Sequence, residues 1–155
     1  MKISESTPIK LNGKPFRFAI ILSRFNDKLG LELLKNTKET LMANGVKEKR
    51  IEIFRVPGAL EIPIAANLLA QKHRYNVIIA LGVVIKGATP HFQHVSQQCY
   101  RGLMDVSLYS DTPVIFGVLT VNNEKQAKER VAKKGLNKGK EYAEAAIEMG
   151  MLVRR

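Results

Sequence analysis

The chain has 155 residues, 45% hydrophobic and 25% charged, the balance of a soluble globular protein with one domain and a sizeable core. No apolar run reaches transmembrane length, residues 1–14 lack the apolar centre of a secretory signal, and the lone Cys99 leaves no internal disulfide, so a cytoplasmic protein without a membrane partner is expected. The net charge of +11 points to anions, but the basic residues are scattered, without zinc-finger spacing, an RNP-like aromatic strand or a basic coiled coil, so no nucleic-acid partner is expected.

Residues 1–15, with Pro8 and Gly13, read as an arm without a core, either disordered or paired with a neighbouring subunit, and 16–155 as a single domain. Arg17-Ser23 (RFAIILS) predicts a buried strand. Lys28-Asn44 predicts a helix with Leu34, Thr37 and Leu41 on one face, stopped by Gly45. Ile51-Val56 predicts a second strand. Pro57-Gly58 turns the chain into a helix that runs to about Lys72, with Pro63 tolerated in its first turn. Asn76-Val84, nearly all apolar, predicts a strand buried on both faces. His91-Tyr109 predicts a helix with Phe92, Val95, Cys99, Leu103 and Val106 on one face, and Pro113-Thr120 a fourth strand. Asn123 with Gln126 forms a capping-box pattern that opens another helix. Asn137-Lys138-Gly139 breaks that helix, and a last one runs from Lys140 to about Leu152. Strand and helix alternate four times, with one more helix at the end. That pattern implies a parallel sheet with right-handed crossovers and helices on both faces, an α/β fold.

Ligands of open α/β sheets bind beyond the carboxyl ends of the strands. Each of the four strand ends here carries something a plain turn does not need. Phe25, at a loop tip, fits either a cap on the core or a stacking surface for a flat ring. Asn26 fits either the N-cap of the next helix or a ligand contact. Glu61 sits where a carboxylate favours the helix dipole and also where it could accept hydrogen bonds from ligand hydroxyls. Gly58 is read as a source of backbone freedom. After the third strand, Thr89 as N-cap and Pro90 as first helical residue leave free amides at a positive helix end, suited to phosphate or carboxylate. His91 beside that anion site is what acid–base chemistry on a phosphorylated substrate needs. His94, one turn on, makes a metal-like pair with it, but no carboxylate or thiolate lies near enough to complete a set, so no metal is expected. The chain lacks G-x-S-x-G, the P-loop lysine motif and G-x-G-x-x-G, which leaves triad hydrolysis, nucleotide hydrolysis and dinucleotide binding unsupported.

Six segments together resemble the 6,7-dimethyl-8-ribityllumazine synthase family: Arg24-Phe25-Asn26, Val56-Pro57-Gly58-Ala59-Leu60-Glu61-Ile62-Pro63, Ala80 through Phe92, Arg101-Gly102-Leu103-Met104, Phe116-Gly117-Val118-Leu119-Thr120 and Asn137-Lys138-Gly139. They occur in family order over about Phe16 to Met149. The resemblance implies a flavodoxin-like, three-layer αβα sandwich around a four-stranded parallel sheet, its N-terminal arm pairing with a neighbour. It implies condensation of 5-amino-6-(D-ribitylamino)uracil with 3,4-dihydroxy-2-butanone 4-phosphate, the penultimate step of riboflavin synthesis, with no metal or redox cofactor. Under it Phe25 stacks on the pyrimidine, with Asn26 beside it, and Ala59, Leu60, Glu61 and the backbone of Val83, Val84 and Ile85 hold the ribityl chain and ring edge. Ala88 and Thr89 bind the phosphate, Arg130 clamps it, and His91 shuttles protons. Phe116 reaches the pyrimidine from an adjacent subunit, and Lys138 and Glu141 are second-rank candidates near the phosphate and histidine. Leu60 departs from the family by standing where many relatives carry Phe.

The resemblance also implies a homo-oligomer. The family forms pentamers, some of them assembling by twelves into a hollow 60-mer, and the short turn Gly135-Leu136-Asn137-Lys138-Gly139 favours the shell. A riboflavin synthase is a partner consistent with it. Two other readings compete: a dismutating riboflavin synthase of archaeal type, against which the intact phosphate loop argues, and a non-catalytic lumazine or flavin carrier, which needs neither His91 nor Arg130.

Overall fold

The computed structural model describes residues 9–154. Four parallel strands, β1 (Phe18–Ser23), β2 (Ile51–Val56), β3 (Val77–Ile85) and β4 (Val114–Val121), lie in the order β2-β1-β3-β4. The helices are α1 (Asp27–Ala43), α2 (Ile62–Ala70), α3 (His91–Ser110), α4 (Glu124–Val131) and α5 (Lys138–Val153). α1, α4 and α5 cover one face of the sheet through Leu33, Leu41, Val131 and Ile147, which meet Phe18, Ile20, Leu22 and Ile79. α2 and α3 cover the other through Ile62, Leu69, Cys99 and Leu103, which meet Ala19, Ile21, Ile78 and Ala80. β1 is therefore buried at every position, as an unbroken aliphatic run predicts. The edge strand β2 instead alternates, with Ile53 and Arg55 exposed. The three-layer αβα sandwich expected from the sequence is the fold observed.

The boundaries follow from local chemistry. α1 stops because Gly45 takes φ 95°, which lets its amide reach Met42 and the Val46 amide reach the Leu41 carbonyl at 3.1 Å. Val46 and Leu41 then pack in the same core, completing a Schellman stop. α4 ends at Val131, earlier than the sequence reading placed it, and α5 begins at Lys138. Asn137 is the reason: at φ 44° its side chain accepts the Lys140 amide, so it caps a helix rather than breaking one. Gly139 lies inside the first turn of α5 against α1, where a Cβ would sit 2.8 Å from the Leu33 carbonyl oxygen. Asn123 accepts the Gln126 amide as expected, while Gln126 Oε1 reaches back to the amide of Asn122, one residue before the usual capping-box partner.

Residues 9–15 form neither strand nor helix, and the Gly13 amide donates to the Asn44 carbonyl at 2.9 Å. The expected pairing of the arm falls mainly on residues 1–8, outside the described residues. No helix among the described residues is long and apolar enough to cross a membrane.

Candidate active site

The chain steps from β1 outward to β2 and then crosses back past β1 to β3. The crevice between the carboxyl ends of β1 and β3 is thus the switch point of the sheet, where such folds place ligands. A cavity of about 390 Å³ lies there. Phe25 and Asn26 after β1, Gly58 to Glu61 after β2, Val83 to Ile85 at the end of β3, and Gly87, Thr89 and His91 beyond it all line it.

The β1–α1 loop is pinned from three sides. The Arg24 amide donates to the Val56 carbonyl at 2.9 Å. Arg55 donates from Nε to the Leu22 carbonyl at 3.3 Å and pairs with Asp27. Asn26 donates from Nδ2 to the Val83 carbonyl at 2.8 Å. Asn26 occupies the N-cap position of α1 but makes no side-chain cap; its side chain instead spans the crevice. These ties leave the Phe25 ring 71% exposed, free to stack on a ligand rather than cap the core. Gly58 does not supply left-handed freedom, since its φ is −147°. Nor does space require glycine here, since a Cβ would make ordinary van der Waals contact, 3.4 Å from the Phe25 ring and 3.6 Å from Glu61 Oε1. Ala59–Glu61 form one 3-10 turn, with Glu61 at the N-cap position of α2.

The loop from β3 to α3 departs from expectation in one respect. Pro90, not Thr89, holds the N-cap position, and no side chain caps the helix. The Gln93 and His94 amides both turn back to the Pro90 carbonyl. The amides of Gly87, Ala88, Thr89, His91 and Phe92 consequently have no acceptor among the described residues. Uncapped amides at a positive helix end favour an anion more strongly than a capped end does. Ala88 belongs to this loop but does not line the cavity. Among the described residues no group of three His, Cys, Asp or Glu side chains is placed to hold a metal.

Four expected residues lie elsewhere. Phe116, on the edge strand β4, stacks on Tyr100 with centroids 6.1 Å apart, and the Tyr100 hydroxyl donates to the Val118 carbonyl at 2.6 Å. Arg130 donates to the Gln126 carbonyl one turn back on α4. Lys138 pairs with Glu141 at 2.8 Å at the start of α5. None of the four lines the cavity within one chain. In the other direction, Ser23, Gly87, Phe92 and Val95 line the cavity and were not singled out as site residues from sequence. The available signal was position: Ser23 closes β1, and Phe92 and Val95 follow the β3–α3 loop on the apolar face of α3.

A parallel sheet ordered β2-β1-β3-β4 defines a flavodoxin-like α/β protein, with a cavity at the β1/β3 switch point where such folds take small molecules. The 6,7-dimethyl-8-ribityllumazine synthase family profile matches residues 15–154. The chain is 45% identical over 154 residues to 6,7-dimethyl-8-ribityllumazine synthases of two Clostridium kluyveri strains, covering 99% of this chain and 98% of each relative. The chain belongs to the 6,7-dimethyl-8-ribityllumazine synthase family.

Proposed function

We propose that this chain is a transferase that condenses 5-amino-6-(D-ribitylamino)uracil with 3,4-dihydroxy-2-butanone 4-phosphate, giving 6,7-dimethyl-8-ribityllumazine and releasing phosphate and water. Family membership over nearly the whole chain carries the reading. The cavity supports it, with the exposed Phe25 ring in its lining and a helix-start loop whose amides are free.

In the proposed site Phe25 stacks on the pyrimidine, with Asn26 holding the loop beneath it. Ala59, Leu60 and Glu61 and the backbone of Val83, Val84 and Ile85 hold the ribityl chain and ring edge. The 87–92 loop, with Ala88 and Thr89, takes the phosphate. The 5-amino group attacks the ketone and loses water to form an imine. His91 moves protons in that step and in the elimination of phosphate. The ribitylamino nitrogen then closes the second ring with loss of another water. The amine is itself a nucleophile, so holding the substrates in register supplies most of the acceleration and His91 adds about 10²-fold.

Phe116 and Arg130 act, in this reading, from an adjacent subunit, with Lys138 and Glu141 near them. Their distance from the cavity within one chain favours a shared site. So do the exposed Ile64 and Leu68 on α2 and Met104 and Leu108 on α3, a surface suited to a second copy. We propose pentamers, twelve to a shell, because the turn between α4 and α5 is short. The arm pairs with the neighbour, and the enzyme works in the cytoplasm, where a buried lone thiol such as Cys99 stays reduced.

Expression in a riboflavin auxotroph lacking lumazine synthase tests the function. Growth without riboflavin is the expected result. No growth despite good expression of folded protein contradicts it.

A further inference from the structure

Four polar side chains are buried among the described residues: Ser23, Asn36, Thr37 and Ser96. Three have internal partners. Asn36 donates to the Val131 carbonyl, Thr37 to Leu33 and Ser96 to Phe92. Ser23 is 1% exposed, and its hydroxyl has no hydrogen bond among the described residues. Among the described residues no fully buried side-chain oxygen or nitrogen lacks a partner, so the Ser23 hydroxyl retains some access, and Ser23 lines the cavity. A buried hydroxyl left in that state marks a place that water or a ligand fills.

The surroundings define the ligand. Ser23 lies on the same face of β1 as Ala19 and Ile21, above the last layer of core. Across the crevice Gly82 of β3 leaves room for it: a Cβ at Gly82 would lie 2.6 Å from Ser23 Oγ. Ile62 and Val118 close the space from the sides, each 3.6 Å from that point. The hydroxyl is therefore a polar point on an apolar floor. It lies two residues before Phe25 and, continuing the register in which Leu22 pairs with Leu81, level with Gly82, five residues before the loop that begins at Gly87.

We infer that Ser23 is a further substrate-binding residue, its hydroxyl hydrogen-bonding a polar group of the ribitylaminouracil rather than of the butanone phosphate. A hydroxyl donates and accepts, so it matches a ring carbonyl, a ring N–H or a ribityl hydroxyl. The inference rests on the lumazine synthase reading of the cavity, but its test does not depend on turnover.

Ser23→Ala and Ser23→Gly both remove the hydroxyl without adding bulk. The KM for each substrate, and equilibrium binding of 6,7-dimethyl-8-ribityllumazine followed by its fluorescence, separate the outcomes. Both variants are expected to raise the KM for the ribitylaminouracil and the Kd for the lumazine roughly 3- to 10-fold, the loss of one hydrogen bond. The KM for the butanone phosphate stays as it was in both, and so does the thermal midpoint of Ser23→Ala, while the glycine variant loses a few degrees to its freer backbone. Unchanged uracil KM and lumazine Kd overturn the inference, as does an equal rise for both substrates with a lower thermal midpoint in Ser23→Ala, which marks a structural serine. If the native protein binds lumazine but makes none, the synthase reading fails while the Ser23 comparison still decides. A native protein that binds neither overturns both.

Discussion

The Asn26 side chain donates to the Val83 carbonyl at 2.8 Å, across the crevice in which the cavity lies. It does so from a backbone at φ 56°, in the left-handed region. One residue thus fixes the width of the crevice and turns the loop that carries Phe25. Two substitutions separate these effects. Asn26→Gly loses the hydrogen bond but accepts the backbone, at a cost of about 0.5–1.5 kcal/mol. Asn26→Ala loses the bond and adds left-handed strain, a further cost of about 1–2 kcal/mol. Urea unfolding is expected to rank the native chain above Gly and Gly above Ala, with both variants binding the lumazine more weakly. Equal stability for all three would remove Asn26 as the staple.

His91 and Arg130 are expected to fail in different ways. His91→Ala lowers kcat by about 10²-fold and leaves a residual rate from juxtaposition alone. Arg130→Ala chiefly raises the KM for the butanone phosphate, because it removes a guanidinium fork rather than a proton shuttle. Since Arg130 lies outside the cavity that holds His91, the two variants are also expected to complement each other. Chains of the two kinds, unfolded together and reassembled, recover activity that neither has alone. Steady-state kinetics on the mixed assembly checks this. No recovery in a demonstrably mixed oligomer would place both groups in one subunit's site.

Gly139 carries the crossing of α5 over α1. A Cβ would meet backbone there, 2.8 Å from the Leu33 oxygen and 2.9 Å from the Thr37 nitrogen, and backbone cannot rotate away. Gly139→Ala is expected to cost about 1–3 kcal/mol despite the better helix propensity of alanine. At about 2–4 °C per kcal/mol for a chain of this size, calorimetry resolves the shift. A raised midpoint would mean that the helices part without penalty.

Tyr75 and Glu52 predict how stability depends on pH. The Tyr75 hydroxyl donates to Glu52 Oε2 at 2.7 Å. Burial first, and then that bond, pushes the Tyr75 phenol up to about 12 from 10.0. The unfolded chain therefore loses this proton near pH 10 while the folded one keeps it, and stability falls as pH rises from about 10 to about 12. Glu52 is shifted in the opposite sense. The Tyr75 bond, opposed by desolvation and helped by Arg74, holds its carboxyl below the ordinary 4.5. Its contribution is present above pH 4.5 and is lost as pH falls. Tyr75→Phe is expected to flatten both limbs of a plot of urea midpoint against pH. A variant whose curve runs parallel to that of the native protein contradicts the assignment.

The layers of this fold are legible in the sequence because burial on both faces leaves β1 and β3 as unbroken aliphatic runs. The end of α1 is legible for a similar reason, since Gly45 has few alternatives to a left-handed stop. Asn137 and Thr89 mislead because a capping residue acts through geometry that sequence spacing does not fix. Asn137 opens a helix where it reads as a break, and Thr89 is bypassed by Pro90. Phe25, Glu61 and His91 line one cavity because each follows a strand end, which local motifs make legible. Arg130 and Phe116 do not join them within one chain, where Arg130 bonds to the Gln126 carbonyl and Phe116 stacks on Tyr100, because no local pattern encodes which strand ends a residue reaches. Ser23 escapes notice because a serine at a strand end looks ordinary until its missing hydrogen bond is seen.

One measurement tests the central claim most directly. Purified protein is mixed with 5-amino-6-(D-ribitylamino)uracil and 3,4-dihydroxy-2-butanone 4-phosphate, and lumazine fluorescence and free phosphate are followed together. The account predicts one phosphate per lumazine, at a rate well above the uncatalysed reaction and abolished when either substrate is withheld. Tight binding of lumazine or riboflavin without acceleration would contradict it and make the chain a carrier.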